Sequence, residues 1–179
     1  MAEVDVVKNS RTVGTPDRLI SDLKTLGIRS GDIVVVHSSL KALGWTVGGP
    51  VAVVQALCDT LSPAGTLVMP AQSLDLTDPA GWENPAVPSE WHDEIRRSMP
   101  AFDPQRTPTR DMGCIAELFR TWPGVVRSDH PTCSFAALGP KAKLITRAQP
   151  LDDPFGEDSP LGKLYELDAR ILLLGVSFD

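Results

Sequence analysis

The sequence predicts a mixed α/β fold: a largely parallel central sheet flanked by helices, with a long proline-rich segment covering a cleft. Three observations carry this. Ile33-Val34-Val35-Val36, Thr66-Leu67-Val68-Met69-Pro70 and Ile171-Leu172-Leu173-Leu174-Gly175-Val176 are short unbroken apolar runs, the pattern of strands buried on both faces. A helical stripe separates the first two, so strand, helix and strand make one βαβ unit with parallel pairing and a right-handed crossover. Residues 71–110 then carry prolines at 79, 85, 88, 100, 104 and 108. A stretch of that length after a strand's carboxyl end is more often a functional cover than a passive link.

The 179 residues suffice for one domain with a real core, so a single domain spans 1–179. An apolar fraction of 42% and a charged fraction of 22% are globular values. No apolar run reaches membrane-spanning length and the N-terminus lacks the build of a secretory signal, which predicts a cytoplasmic protein with no membrane partner. A formal net charge of −6 argues against nucleic acid as the main partner. Three cysteines cannot all pair, and Cys58, Cys114 and Cys133 show no metal-ligand spacing. Cys58 and Cys114 fall inside apolar helical patterns and read as buried thiols.

Taken in order, residues 1–14 carry little pattern and read as a frayed arm. Thr15-Pro16-Asp17 opens a helix with a capping hydroxyl, a first-position proline and an acid in the first turn. Leu19, Ile20, Leu23 and Leu26 form its stripe, and Gly27 ends it. Strand 33–36 runs into His37-Ser38-Ser39-Leu40 and on to Gly44 and Gly48-Gly49, before a second helix from Pro50 to Leu61 whose stripe is Val51, Val54, Leu57 and Leu61. Such a small-residue loop between a buried strand and a helix start lets amides approach an anion. Its glycine spacing fits neither a Walker motif nor a dinucleotide fingerprint, so an ordinary turn stays open as the alternative.

Strand 66–70 precedes the proline-rich segment, where one short helix is predicted over Ser89–Met99. Helix Asp111–Trp122 follows, its stripe formed by Met112, Ile115, Leu118 and Phe119, with Gly113 permitting a close approach. Glu117 on it faces either solvent or the cleft. Cys133–Gly139 reads as a short strand, 140–148 as a helix, Ser159 through Leu167 as a helix with a serine cap and Pro160 at its first position, and 171–176 as the last strand.

Charge is unevenly placed. Asp75, Asp78, Glu83, Glu90, Asp93, Glu94 and Asp103 face only Arg96 and Arg97 between positions 75 and 103, so seven acids less two bases leave five negative charges. Two readings are open: a solvated surface loop, or an acidic lip that concentrates a cationic ligand. Trp82 and Trp91 in this segment, and Trp45 opposite, either line a ligand or pin the loop to the body.

Several passages together resemble the aminoglycoside 3-N-acetyltransferase family, the antibiotic N-acetyltransferase type rather than the general N-acetyltransferase superfamily. They are His37-Ser38-Ser39-Leu40 with Gly44; Thr107-Pro108-Thr109, Met112-Gly113 and Glu117-Leu118-Phe119-Arg120; Arg127-Ser128-Asp129-His130-Pro131 with Ser134-Phe135-Ala136-Ala137 and Gly139; and Ser159-Pro160-Leu161 with Leu164-Tyr165. Their order and spacing match from about Thr15 onward. The resemblance implies acetyl-coenzyme A as co-substrate and no metal. It also implies acetylation of the 3-amino group of 2-deoxystreptamine antibiotics by direct transfer, conferring resistance, and small molecules as the partners.

The resemblance also implies the site. Coenzyme A is expected on His37, Ser38, Ser39, Leu40, Gly44, Met112, Gly113, Ser134 and Phe135, with His37 orienting the loop. Asp75, Asp78, Trp82 and Glu117 are expected to receive the polycation. The family's principal histidine follows the strand equivalent to 171–176 and so falls beyond Asp179; the chain reads as C-terminally incomplete. His130 is then the in-chain catalytic candidate, with a structural role in the turn before the 133–138 strand as the alternative. An uncovered last strand predicts self-association, a homodimer. Two other functions are carried: a fragment that binds coenzyme A or aminoglycoside without turnover, and a hydrolase using Ser38, Ser39 or Cys133. The last ranks lowest, because no nucleophile elbow or Cys/His pairing surrounds those residues.

Overall fold

A computed structural model describes residues 3–177. The first two residues of the expected arm, and the last two positions of the 1–179 span with Asp179 among them, lie outside the described residues.

Five strands form one sheet: β1 (Ile33–Ser38), β2 (Thr66–Pro70), β3 (Val126–Arg127), β4 (Phe135–Leu138) and β5 (Arg170–Leu174). They lie side by side in the order β3-β4-β2-β1-β5. β1 pairs in parallel with β2, Ile33–Val35 against Thr66–Val68, and with β5, Val34–Ser38 against Arg170–Leu174. β4 runs antiparallel to both β2 and β3. The sheet is therefore mixed, a parallel block of three strands extended by an antiparallel pair.

Among the described residues eight α-helices accompany it: α1 (Glu3–Asn9), α2 (Pro16–Thr25), α3 (Leu40–Leu43), α4 (Gly49–Leu61), α5 (His92–Ser98), α6 (Gly113–Arg120), α7 (Ala142–Thr146) and α8 (Pro160–Glu166). Strand alternation sorts the core into two layers. Val34 and Val36 point to one face, packing with Leu23 of α2, Val53, Val54 and Leu57 of α4, and Ile115 and Phe119 of α6. Val35 and Val68 point to the other, against Ile145 of α7 and Leu164 of α8, with Phe135 and Ala137 of β4 beside them. Each large side chain buried here stabilises by about 1.5–3 kcal/mol. Thr15 caps α2, its hydroxyl accepting the Arg18 amide at 3.3 Å, and Ser159 caps α8 by accepting the Leu161 and Gly162 amides at 3.1 and 3.3 Å.

Three expectations are corrected. The arm is not frayed over 3–9: it forms α1, and Ser10 Oγ accepts the Trp45 amide at 2.7 Å while donating to Val6 O. Gly14 makes a parallel bridge with Thr46. A short helix, α3, fills part of the loop after β1, because Ser39 is a capping residue whose hydroxyl accepts the Ala42 amide. Cys114 is exposed, whereas Cys58 is half-buried: Cys114 precedes Ile115 by one residue, about 100° around α6 from the stripe that packs. β3, two residues long, was not expected.

No described helix is long and apolar enough to cross a membrane. Among the described residues no cluster of three His, Cys, Asp or Glu side chains is placed to hold a metal.

Candidate functional site

β1 sits where the topology divides, its successor β2 on one side and β5 on the other, and the crevice beyond such a strand's carboxyl end is where open α/β sheets bind ligands. A cleft of about 460 Å³ opens there, lined by Val36, His37, Ser38, Pro70, Asp111, Met112, Ala116, Ile171, Leu173, Val176 and Ser177. His37 and Ser38 at the end of β1 are thus brought together with Met112, with His37 exposed. Gly113 follows at φ 80°, and a Cβ there would stand 3.7 Å from Ser38 O. The left-handed backbone is what turns the chain from the cleft wall into α6.

Ser39, Leu40 and Gly44 are placed differently. The Ser39 amide donates to Leu174 O at 2.9 Å, so it is committed to β5. Leu40 packs against the first core layer. Gly44, at φ 84°, closes α3 so tightly that a Cβ would lie 2.9 Å from Ser10 Oγ. Ser39 and Gly44 line a separate shallow hollow of about 440 Å³ beneath α1, with Asn9, Ser10 and Lys41.

Asp111 links the cleft to the proline-rich segment. It holds φ 61°, a conformation Asp tolerates better than most side chains. It also lines a neighbouring hollow of about 420 Å³ with Asp75, Trp82, Glu83, Asn84 and Arg110. A larger hollow, about 800 Å³, lies beyond, walled by Ser73, Asp75, Leu76, Trp82, Ile95, Met99, Phe102, Asp103, Arg106, Thr107 and Pro108. Asp75 and Trp82 form the partition between the two. Trp82 both lines the hollows and pins its loop, its indole N–H donating to Thr77 Oγ1 at 2.9 Å. Trp91 is exposed, and neither it nor Trp45 stands in these walls.

The acidic segment is largely matched by cations. Asp75 pairs with Arg110 at 2.5 Å and Asp78 with Arg96 at 3.0 Å, while Asp93, Glu94 and Asp103 pair with Arg96, Arg97 and Arg106. The Arg96 guanidinium and the Ala80 amide hold the Asp78 carboxyl below its usual range. The Gln105 and Arg106 amides do the same for Asp103. Among the described residues Glu83 has no cationic partner and Asp111 has the looser 3.5 Å contact with Arg110, so the net field of the hollow rests on these two more than on Asp78.

The remaining expected residues lie away from the cleft. His130 is 3% exposed. Its Nδ1 accepts the Cys133 and Thr132 amides at 2.9 and 3.2 Å, which places the ring proton on Nε2, buried without a partner among the described residues. This imidazole ties the turn before β4, and it does not line the cleft. Ser134, fully buried, donates to Ala71 O at 2.7 Å and accepts from Arg127 Nε at 2.9 Å; Phe135 lies in the second core layer. Both are buried and neither lines the cleft. Glu117 accepts from Thr109 and pairs with Arg120 rather than lining a hollow. Burial alone would raise its carboxyl, but the Arg120 guanidinium and the two Thr109 bonds outweigh it and hold the pKa at about 2.

The sequence reading missed Asp111 and Arg127 as site-shaping residues. For Asp111 a signal existed: an Asp two residues before a glycine, where a left-handed turn into a helix is needed. For Arg127 the signal was its place in a motif of the family resemblance, which says nothing of its partners, up to 56 residues away.

The model of the family described as aminoglycoside 3-N-acetyltransferase matches residues 35–179. The SPbeta prophage-derived aminoglycoside N(3')-acetyltransferase-like protein YokD of Bacillus subtilis is 50% identical over 175 residues, 97% of this chain and 64% of that protein. Aminoglycoside N(3)-acetyltransferase IX of Micromonospora chalcea is 36% identical over 186 residues, covering 100% of this chain and 63% of the relative. The crystal structure of YokD superposes with a TM-score of 0.95 at 49% identity, over 98% of this chain and 65% of its own. AAC-IIIb in binary complex with CoASH gives a TM-score of 0.75 at 40% identity, and AAC-VIa bound to sisomicin 0.78 at 34%. In both cases 90% of this chain and 59% of the other are covered. The chain spans just under two thirds of the length of these relatives.

Proposed function

The chain belongs to the aminoglycoside 3-N-acetyltransferase family, and on that premise we propose that the protein transfers the acetyl group of acetyl-coenzyme A directly to the 3-amino group of a 2-deoxystreptamine aminoglycoside. The observation that carries this is the position of Asp111, a wall both of the cleft beyond β1 and of the carboxylate-bearing hollow beside it. Two ligands of opposite charge can therefore meet at one shared edge. CoASH in AAC-IIIb and sisomicin in AAC-VIa support a co-substrate and a cationic sugar as those ligands.

Ser38, Met112 and Gly113 shape the cleft for the thiol arm, with His37 beside them. Asp75, Trp82, Glu83 and Asp111 receive the aminoglycoside, the indole stacking a sugar face and the carboxylates orienting ammonium groups. The target ammonium first gives up a proton to a base; among the described residues His37 and Asp111 are the ionisable groups on the cleft wall. The free amine then attacks the thioester carbonyl. The C–N bond forms, the C–S bond breaks, and the thiolate takes up a proton as coenzyme A leaves. Holding the two substrates in contact lowers the barrier by about 7 kcal/mol or more. This chemistry calls on no metal ion, and its acyl donor is a cytoplasmic metabolite.

One second reading has a specific observation behind it. His130 is buried, which favours binding without turnover for residues 3–177 taken alone. A thiol-release assay with acetyl-coenzyme A separates the readings. Release that depends on the aminoglycoside supports acetyl transfer; calorimetric binding with no release supports the second reading; release without antibiotic points to hydrolysis and removes both.

A further inference from the structure

Arg127, on the two-residue strand β3, is a half-buried cation with no carboxylate in ion-pair reach among the described residues. Its five N–H groups go to neutral oxygens instead. Nε donates to Ser134 Oγ at 2.9 Å, Nη1 to Thr107 O at 2.6 Å and Pro104 O at 3.4 Å, and Nη2 to Ala71 O at 2.5 Å and Ser73 Oγ at 2.7 Å. Its guanidinium carbon stands 5.0 Å from the centre of the Phe102 ring. Ser73 in turn donates to Pro108 O at 2.9 Å. Three of these contacts, Ser73, Phe102 and Thr107, are themselves walls of the 800 Å³ hollow.

From this geometry we propose that Arg127 is a positioning residue for the aminoglycoside. It acts through Ser73, Phe102 and Thr107 to hold residues 102–108 against the end of β2, and so sets the shape of the hollow. The proposal rests on the functional reading above. The chemistry needs this side chain: a planar fork with five donors serves carbonyls from separate segments at once, whereas a lysine ammonium has three donors and no plane to stack on Phe102. Carbonyl and hydroxyl dipoles take the place of a counter-ion. Removing the fork takes the arginine donor from Thr107 O and Pro104 O and leaves Ala71 O to Ser134 alone, so the segment it ties down is released rather than repacked. β3 supports the same role, because its pairing sets Arg127 opposite Ala136 and fixes the origin of the fork.

The test uses Arg127→Lys, Arg127→Gln and Ser73→Ala in the whole protein. It reads hydrogen exchange over 102–108, calorimetric affinity for a 2-deoxystreptamine aminoglycoside and for coenzyme A, and steady-state kinetics. Both Arg127 variants should raise exchange in 102–108 and weaken the aminoglycoside about tenfold or more, with coenzyme A within about twofold and no rescue by lysine. Ser73→Ala, which removes one of the fork's acceptors and the donor to Pro108 O, should act in the same direction by about two- to threefold and keeps the test open if Arg127→Gln fails to fold. Unchanged exchange, or an equal loss of both ligands, overturns the assignment. Should the unaltered protein bind no aminoglycoside, the functional reading falls with its specificity consequence, while the exchange result alone still decides whether Arg127 anchors the segment.

Discussion

The carboxylate of Glu117 accepts both the amide and the hydroxyl of Thr109, each at 2.7 Å. The same carboxylate takes Nε and Nη2 of Arg120, whose Nη1 donates to Gln105 O at 2.9 Å. Two paired side chains on α6 therefore fix the two ends of the 105–109 turn, Glu117 at Thr109 and Arg120 at Gln105. Asp111 and Met112, the next residues along, are carried into the cleft by that turn. Glu117 frames the site without entering it.

The acid response of the fold follows from this relation. The Glu117 carboxyl has a pKa of about 2 against an ordinary 4.5. A carboxyl depressed by folding stabilises the native state above the unfolded value, and that stability is lost as pH falls through the folded value. The window is thus about pH 4.5 down to about 2. Discounted for the 39% of the side chain that meets solvent, the contribution is about 1 kcal/mol. Glu117→Gln should lower the unfolding midpoint at pH 7 and flatten the pH dependence of stability in that window. Denaturant titrations at pH 7 and pH 3 measure it; an unaltered slope would remove Glu117 as the cause.

Two glycines with positive φ should respond differently to alanine. Gly139, at φ 124°, leaves β4 so close to β2 that a Cβ would lie 2.3 Å from Gly65 O and 2.9 Å from Thr66 Cα, both backbone atoms. Gly49, at φ 54° in the first turn of α4, has nothing within 4 Å of a Cβ. Gly49→Ala then costs only the left-handed penalty, about 1 kcal/mol. Gly139→Ala adds a clash that backbone must move to relieve, for a total of about 3 kcal/mol or more. Thermal unfolding of the two variants gives the order directly.

These positions also show what a sequence can and cannot reveal. β1, β2 and β5 were legible because a valine- or leucine-rich run has few other uses, and α2 and α8 because Thr15, Pro16, Ser159 and Pro160 spell out a helix start locally. His37 and Ser38 were legible as cleft candidates because they end a buried strand, and Met112 through the family motif it belongs to. Hidden features depend on distant partners. α1 is held by Trp45 and Ser10, Ser39 spends its amide on Leu174, and His130 is buried by the turn it organises. The acidic segment looked like an uncompensated field because Arg110, just outside the counted window, is the partner of Asp75.

The α8 cap offers a local test of stability. Ser159 is fully buried, and its hydroxyl donates to Gly156 O at 2.6 Å while accepting two amides. Ser159→Ala strands those amides and should cost about 1–2 kcal/mol, with Ser159→Thr recovering part of it. Chemical denaturation of the three proteins checks this, and equal midpoints for serine and alanine would refute the cap's contribution.

The last prediction concerns which carboxylates the proposed aminoglycoside would meet. Asp78 is exposed and already neutralised by Arg96 and the Ala80 amide, so a ligand ammonium would have to compete with a bidentate guanidinium for it. Asp111 stands on the edge shared by the cleft and the hollow, and its contact with Arg110 is looser, 3.5 Å, because Arg110 is held more closely by Asp75. An ammonium arriving at that edge gains an acceptor without displacing a tight partner. Asp111→Asn should therefore weaken a 2-deoxystreptamine aminoglycoside about tenfold, and Asp78→Asn by less than about twofold. Asparagine also tolerates the left-handed backbone at 111, so the change removes charge without forcing the turn to rearrange. Ser38→Leu, by crowding the cleft below, should instead weaken coenzyme A and spare the aminoglycoside. Calorimetry of the three variants with each ligand resolves the pattern, and an Asp78 effect as large as that of Asp111 would move the cationic site out of the cleft edge and onto the surface of the proline-rich segment.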